Sequence, residues 1–265
     1  MGVALEVISG RVTAPGAVQT ALTMNGSDSL SVRNTDLSAK IWLLELWAKN
    51  QAAGILRVRS PKLHDNVQGL RYRIPASEVV PRLADGYPQQ LYPQDTLVAD
   101  LSGSAVAGQI EEAALLIYYA DLPGISARLI DSATVKSRMR NLVTQEIATV
   151  SLATGDYGTA RALNADFDLL KANTDYAVLG GYGDARAAVI TLRGADTGNL
   201  RVGLPVESAI RDLTAEWFLF LSDINHLPLV PVINSANKAG IFAEAITDQG
   251  AGTVNSTWNL AELSP

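Results

Sequence analysis

Strict alternation of apolar and charged positions recurs along the chain. In GLRYRIP (69–75), Leu70, Tyr72 and Ile74 fall on one side and Arg71 and Arg73 on the other, the pattern of a half-buried β-strand. AGILRVRS (53–60) sets Leu56 and Val58 against Arg57 and Arg59. AAVITLRG (187–194) aligns Ala188, Ile190 and Leu192, and TLVADLSG (96–103) aligns Leu97, Ala99 and Leu101. Clusters such as MNGSDS and GADTGN, rich in Gly, Asn, Asp and Ser, separate these runs and supply turn chemistry.

Helical spacing is rarer. In VESAIRDLTAEWFLFLSD (206–223), Ile210, Leu213, Trp217 and Phe220 share a helical face after Pro205. ASEVVPRLADG (76–86) is a shorter candidate with Pro81 inside it. Residues 131–142, DSATVKSRMRNL, predict a helix with Val135, Met139 and Leu142 on one face. IEEAALLIYYADL (110–122) has the composition of a helix or a strand.

An internal repeat decides that last case. NTD occurs at 34–36 and again at 173–175, and the match is not isolated. In chain order Gly16 pairs with Gly158, Asn34 with Asn173, Pro75 with Pro205, Pro93 with Pro231 and Leu122 with Leu263. The offsets are 142, 139, 130, 138 and 141 residues. Collinear anchors with small drift predict a duplicated domain with loop insertions. Leu200, Val202 and Leu204 of NLRVGLP then fall on the face of Leu70, Tyr72 and Ile74. IEEAALLIYYADL matches GTVNSTWNLAEL (252–263), whose Asn, Ser and Thr are poor helix formers, so both predict strands. The expected organisation is a first β domain at 1–124, a connecting helical segment at 125–140 and a second β domain at 141–265. The fold class is all-β with a few helices, as two tandem jelly-roll sandwiches related by internal duplication.

Composition narrows the function. The 265 residues are 48% apolar and 18% charged, with mean hydropathy +0.13, a folded rather than a disordered chain. Net charge −6 argues against a general nucleic-acid binder, which needs clustered Lys and Arg. The absence of cysteine excludes disulfides and thiolate metal sites. The N-terminal MGVALEVISGRV lacks the basic and apolar regions of a secretory signal, and Glu6 stands where a myristoylation motif has Ser or Thr. IWLLELWA and AEWFLFL are far shorter than the ~20 residues of a membrane-spanning helix.

Chemistry-bearing constellations are sparse. The two histidines, His64 and His226, are not equivalent in the repeat, since Gly194 stands opposite His64. GGYGDAR (180–186) lacks the third glycine of a dinucleotide fingerprint and reads as a hairpin turn. Glu111 and Glu112 are adjacent, face apart on a strand and are expected at a solvated edge. Arg128, Lys136, Arg138 and Arg140 form a basic run, expected as a solvated face, with a small phosphate-binding patch as the sharper alternative. No catalytic, cofactor-binding or metal site is assigned, no cofactor is expected, and the chain is not read as an enzyme.

Two tandem β-rich copies, each with a helix late in the repeat, without an active-site motif and in a compact length, resemble the double jelly-roll major capsid proteins of tailless icosahedral viruses. The stretch YPQDTLVADLSG (92–103) with EEAALLIYYADLPG (111–124) is similar to phage capsid sequences of this type. The resemblance covers nearly the whole chain but is architectural and transfers no site residue. It implies a structural virion protein located in the capsid shell, made in the host cytoplasm without a secretory signal. Three copies would form a pseudo-hexagonal capsomer. Its implied partners are other copies, penton or minor capsid proteins and an internal viral membrane in those viruses that have one, with no sequence-specific nucleic acid. Trp42, Trp47, Tyr87 and Tyr92 are interface candidates, with core packing the plainer role for each. The alternatives are a phage spike or minor capsid protein, a tandem jelly-roll carbohydrate-binding or adhesion protein, and a two-domain jelly-roll enzyme.

Overall fold

The computed structural model describes residues 2–63, 66–77, 88–151, 155–206, 211–247 and 250–265. The first half carries β1 (Gly2–Thr13), β2 (Thr20–Ala21), β3 (Thr23–Met24), β4 (Ile41–Lys49), β5 (Gly54–Arg59), β6 (Leu70–Ile74), β7 (Gln89–Leu91), β8 (Val98–Leu101) and β9 (Ile110–Leu122). After β10 (Leu129–Ile130) and α1 (Ser132–Arg138), the second half carries β11 (Met139–Ser151), β12 (Arg161–Ala162), β13 (Asp175–Gly183), β14 (Ala187–Arg193) and β15 (Val202–Pro205). It continues with α2 (Arg211–Ala215), α3 (Trp217–Asn225), β16 (Val230–Asn234), β17 (Phe242–Thr247) and β18 (Gly252–Leu263). The fold is all-β with few helices, as the alternating runs require.

Among the described residues the strands form four antiparallel sheets, ordered β3-β1-β9-β4-β7 and β2-β8-β5-β6 in the first half, β10-β16-β13-β18-β11 and β12-β17-β14-β15 in the second. Apart from the flanking β3 and β10, the order is the same in each half. β1, β9, β4 and β7 take the places of β11, β18, β13 and β16, and β2, β8, β5 and β6 those of β12, β17, β14 and β15. The ambiguous segment 110–122 is a long strand at the centre of its sheet, and its counterpart 252–263 is a long strand in the interior of its own. The two NTD triplets stand before corresponding strands: Asn34–Asp36 lies in the approach to β4, and Asp175 is the first residue of β13. Buried Asn34 donates to the Asp121 carbonyl and accepts from the Asp36 amide (2.8 Å).

Three local expectations change. The helix at 131–142 ends at Arg138. Asp131 caps it by accepting from Thr134 N (2.6 Å), and from Met139 onward the chain pairs with β18 instead. Gln145, Ile147 and Thr149 are buried while Thr144 and Glu146 are exposed, so the period switches to two. Met139 and Leu142 consequently do not share Val135's buried face; they are 42% and 56% exposed. The long helix of 206–223 is broken at Glu216, whose φ of −125° caps α3. The buried face is Trp217, Phe218 and Leu221, with Phe220 only partly covered. GGYGDAR turns later than expected: Gly180–Gly183 belongs to β13, and the reversal is closed by Ala187 N donating to Asp184 O (2.9 Å). The candidate helix at 76–86 lies almost wholly outside the described residues.

Gly180 is needed for packing rather than for a turn. A Cβ there would lie 2.2 Å from the Thr214 carbonyl oxygen and 2.6 Å from Trp217 N, so the chain of α2 and α3 rests directly on β13. Gly180→Ala is expected to cost about 1–3 kcal/mol by overpacking against backbone that cannot give. A chemical-denaturation midpoint unchanged from the parent protein would refute this.

Two hydrophobic clusters fill the molecule. One lies in the first half, joined by Leu200 from the second, and includes Ile8, Ile41, Leu43, Leu46, Leu115 and Tyr119. The other fills the second half and takes in Leu5, Val7, Leu44, Trp47, Leu116 and Tyr118 from the opposite face of β1, β4 and β9. The central sheet of the first half is therefore buried on both faces. Its outer face joins the core of the second half.

Candidate functional site

The most developed polar site is the junction between the halves. β1 runs alongside the start of β15, where Val7 N donates to Arg201 O (2.8 Å). Val202 and Leu204 pack into the second-half core, Leu200 reaches across into the first-half cluster, and Arg201 between them turns toward Asp28. Its guanidinium meets Asp28 (3.1 Å) from the first half and Glu244 of β17 (2.7 Å) from the second, and lies 3.8 Å over the Tyr157 ring. Arg193 of β14 adds a second bond to Glu244 (3.1 Å). The Asp28 carboxylate accepts from Ser9 N (2.9 Å), Ser9 Oγ (3.1 Å) and Tyr157 OH (2.9 Å). Gly26 N donates to Asp156 (3.0 Å), and Arg11 donates to the Gly155 carbonyl.

Burial governs the protonation of this cluster. It pushes the Asp28 carboxyl above its ordinary range, against the opposing pull of the Ser9 amide and Arg201. Burial also drives the Tyr157 phenol well upward, reinforced by the Asp28 charge. Burial alone would lower Arg201, but the bond to Glu244 and the charges of Glu244 and Asp28 outweigh it, so the guanidinium stays charged. The arrangement suits fixing two bodies in one orientation: a cation held between two buried carboxylates, with an aromatic face beneath it.

The apolar part of the junction is a tryptophan pair. Trp47 on the outward face of β4 meets Trp217 at the start of α3, with ring centroids 6.2 Å apart and planes at 83°. Of the four interface candidates, Trp47 is buried here, Trp42 packs partly buried against the same core, and Tyr92 is 41% exposed. Tyr87 lies outside the described residues.

Glu111 and Glu112 correct the expectation of a solvated edge, because both are buried on central strand β9. They do face apart. Glu111 accepts from Ser104 N (2.5 Å) and Gln51 N (2.6 Å), and burial raises its pKa despite these bonds. Glu112 accepts from Asn25 Nδ2 (3.2 Å) near the junction. The basic run is largely paired: Arg128 with Asp175 (2.6 Å), Lys136 with Asp223 (2.7 Å), and Arg138 with the Ser264 carbonyl (2.6 Å). Exposed Arg140 lines a cavity of about 360 Å³ with Arg138, Asp175, Asn234 and Glu262, where both signs of charge meet. His226 caps α3 in the left-handed region (φ 53°), and His64 lies outside the described residues. Among the described residues no group of three or more His, Asp or Glu is gathered as metal ligands would be. No described helix is long and apolar enough to cross a membrane.

No family model and no curated protein matches this chain. Among solved structures it is similar to the PBSX exported protein XepA (11% identity, covering 94% of this chain and 86% of that one, TM-score 0.22). It is also similar to the major capsid protein P2 of bacteriophage PM2 (7% identity, 98% of each chain, TM-score 0.23). A third is the T=1 Penaeus vannamei nodavirus (11% identity, 100% and 99% coverage, TM-score 0.23). Viral shell structures recur among these similarities, at TM-scores well below 0.5. The functional case rests on the chain's own geometry.

The residues that matter most at the junction, Asp28, Tyr157, Arg201 and Glu244, were not legible as a site. One signal was present: Arg71 and Arg201 occupy matched places in the repeat, each on the face opposite its strand's apolar positions.

Proposed function

We propose that this protein is a structural virion subunit, the major building block of an icosahedral shell. In this reading each half is an eight-stranded jelly roll, 1–124 and 141–265, with 125–140 between them, and the halves descend from one duplicated domain. Three copies associate into a pseudo-hexagonal capsomer. The observation that carries the reading is the common strand order of the two halves, held as one block by a two-sided core and the buried Arg201 cluster. Side-chain equivalences support it. Arg59 of β5 pairs with buried Asp100 of β8 (2.9 Å), and Arg193 of β14 pairs with buried Glu244 of β17 (3.1 Å). Ser9 N donates to Asp28 (2.9 Å), and Ala148 N donates to Asp166 (2.8 Å). A rigid pair of rolls with its charges used internally suits a tile whose work is done at its edges. The copies themselves are its main partners, followed by the other proteins of the virion.

Light scattering of the purified protein over a concentration series tests this. The expected native mass is about three times 28.1 kDa. A monomer at every concentration overturns the reading and favours a binding or adhesion module.

A further inference from the structure

We infer that the outer edge of β11 is the surface by which one copy of this chain docks on the β6 edge of a second copy, repeating between chains the contact that joins the halves within one chain. The inference rests on the shell-subunit reading and names its contact. β1 and β11 hold the same place in their sheets, and both direct alternate backbone groups away from the neighbouring central strand. At Val3, Val7 and Ser9 of β1 such outward groups are filled. Val3 O accepts from Ala127 N (2.8 Å), Val7 N donates to Arg201 O (2.8 Å), and Ser9 N donates to Asp28 (2.9 Å). The matching Ser9–Asp28 and Ala148–Asp166 bonds set the register, which places Leu142 opposite Val3 and Glu146 opposite Val7.

Along β11 the filling is incomplete. Ala148 N reaches Asp166, and Val150 O accepts from Thr159 N (2.7 Å). The outward groups of Leu142, Thr144 and Glu146 have no partner among the described residues. Thirteen residues of edge strand are a template for pairing unless covered. Apolar side chains stand along the same edge: Leu142 is 56% exposed, and Phe167 and Leu169 in the adjoining loop are 58% and 60% exposed.

The occupant follows from continuity with the contact already made. Within the chain, the β1 edge bearing acidic Asp28 meets the start of the edge strand β15, bearing Arg201. The corresponding strand in the first half is β6, last in its sheet, where the match of GLRYRIP with NLRVGLP sets Arg71 against Arg201. β11 presents exposed Glu146, and β6 presents exposed Arg71. The pairing of signs matches the one within the chain, where Asp28, in the loop after β3, meets Arg201, the residue before β15. Because the two surfaces differ, the contact is head-to-tail and generates a ring when the rotation closes.

Two sets of variants test this. In Glu146→Pro the outward N–H is lost while the ladder to β18 keeps its bonds. The charge reversals Glu146→Arg and Arg71→Glu are made singly and together. Light scattering is expected to show each single variant dissociating at concentrations where the parent is fully assembled, with a loss of about tenfold per contact. The double reversal should reassemble. Circular dichroism checks each fold, and if Glu146→Pro fails to fold, the reversals decide. A parent that assembles while every folded variant keeps its mass overturns the inference and leaves the shell reading standing. Dissociation of the single reversals without rescue in the double overturns the pairing of β11 with β6. A monomeric parent overturns both.

Discussion

Trp217→Ala is expected to destabilise the protein by about 3–5 kcal/mol, the cost of truncating a large, fully buried aromatic. Trp217 is wholly buried at the start of α3, and its ring meets Trp47 edge to face across the junction. The loss has two parts. The cavity weakens the second-half core, where Phe218 and Leu221 depend on α3 staying seated on β13. The missing ring also removes the partner that Trp47 projects toward from the first half. Trp47→Ala should cost a similar amount, and a double-mutant cycle should return a coupling of about 0.5–1.5 kcal/mol for the aromatic pair. Urea unfolding monitored by fluorescence and by far-ultraviolet circular dichroism measures both effects. Loosening the junction should also separate the two probes' transitions, since each half keeps its own sheets. A loss below about 1 kcal/mol would mean that the site collapses onto the cavity and that the ring does not hold the halves together.

The two-sided burial behind that prediction also explains what was legible in the sequence. Strands with one polar face announced themselves: β5 and β6 lie where alternation placed them, because Arg57, Arg59, Arg71 and Arg73 avoid the core face. β4 and β9 carry near-continuous apolar runs, IWLLELWA and EEAALLIYYA, since one face packs into the first half and the other into the second. A strand buried on both faces has no period to read. Only the repeat, through the Asn- and Thr-bearing GTVNSTWNLAEL, identified β9 as a strand. The same burial hid the carboxylates. Glu111 and Glu112 resembled an exposed pair because local sequence does not reveal that the Ser104 and Gln51 amides converge on one of them and Asn25 on the other. α1 was overextended because Met139 and Leu142 continue a helical spacing that pairing with β18 overrides. The Arg201 cluster joins residues 28, 157, 201 and 244, and only the folded chain brings them together.

Arg201→Ala should be as damaging as loss of the tryptophan, about 3–5 kcal/mol at neutral pH, because it strands buried Asp28 and halves the pairing of buried Glu244 rather than merely deleting a bond. Asp28 and Glu244 are each only 4% exposed at the side chain, and Arg201 contacts both. Glu244 would retain Arg193, while Asp28 would keep only neutral donors, Ser9 and Tyr157. The effect should therefore depend on pH with a definite sign. Burial already raises the Asp28 pKa in the folded parent, so above the unfolded value of 3.8 the folded state holds this proton more firmly than the unfolded chain. Stability from Asp28 is then greatest at low pH and is lost as pH rises through its folded pKa. Removing Arg201 removes a charge that lowers this pKa, which moves the window upward. The deficit of the variant relative to the parent should shrink as pH falls from neutral toward the ordinary carboxylate range, as Asp28 takes up its proton. Asp28→Asn in the Arg201→Ala background should recover part of the loss at neutral pH and flatten the dependence, since the amide needs no counter-charge. Urea midpoints across that range measure it. A deficit that stays constant with pH, or that Asp28→Asn leaves unchanged, would mean that Arg201 acts through its stem and its stacking on Tyr157 instead of through its charge.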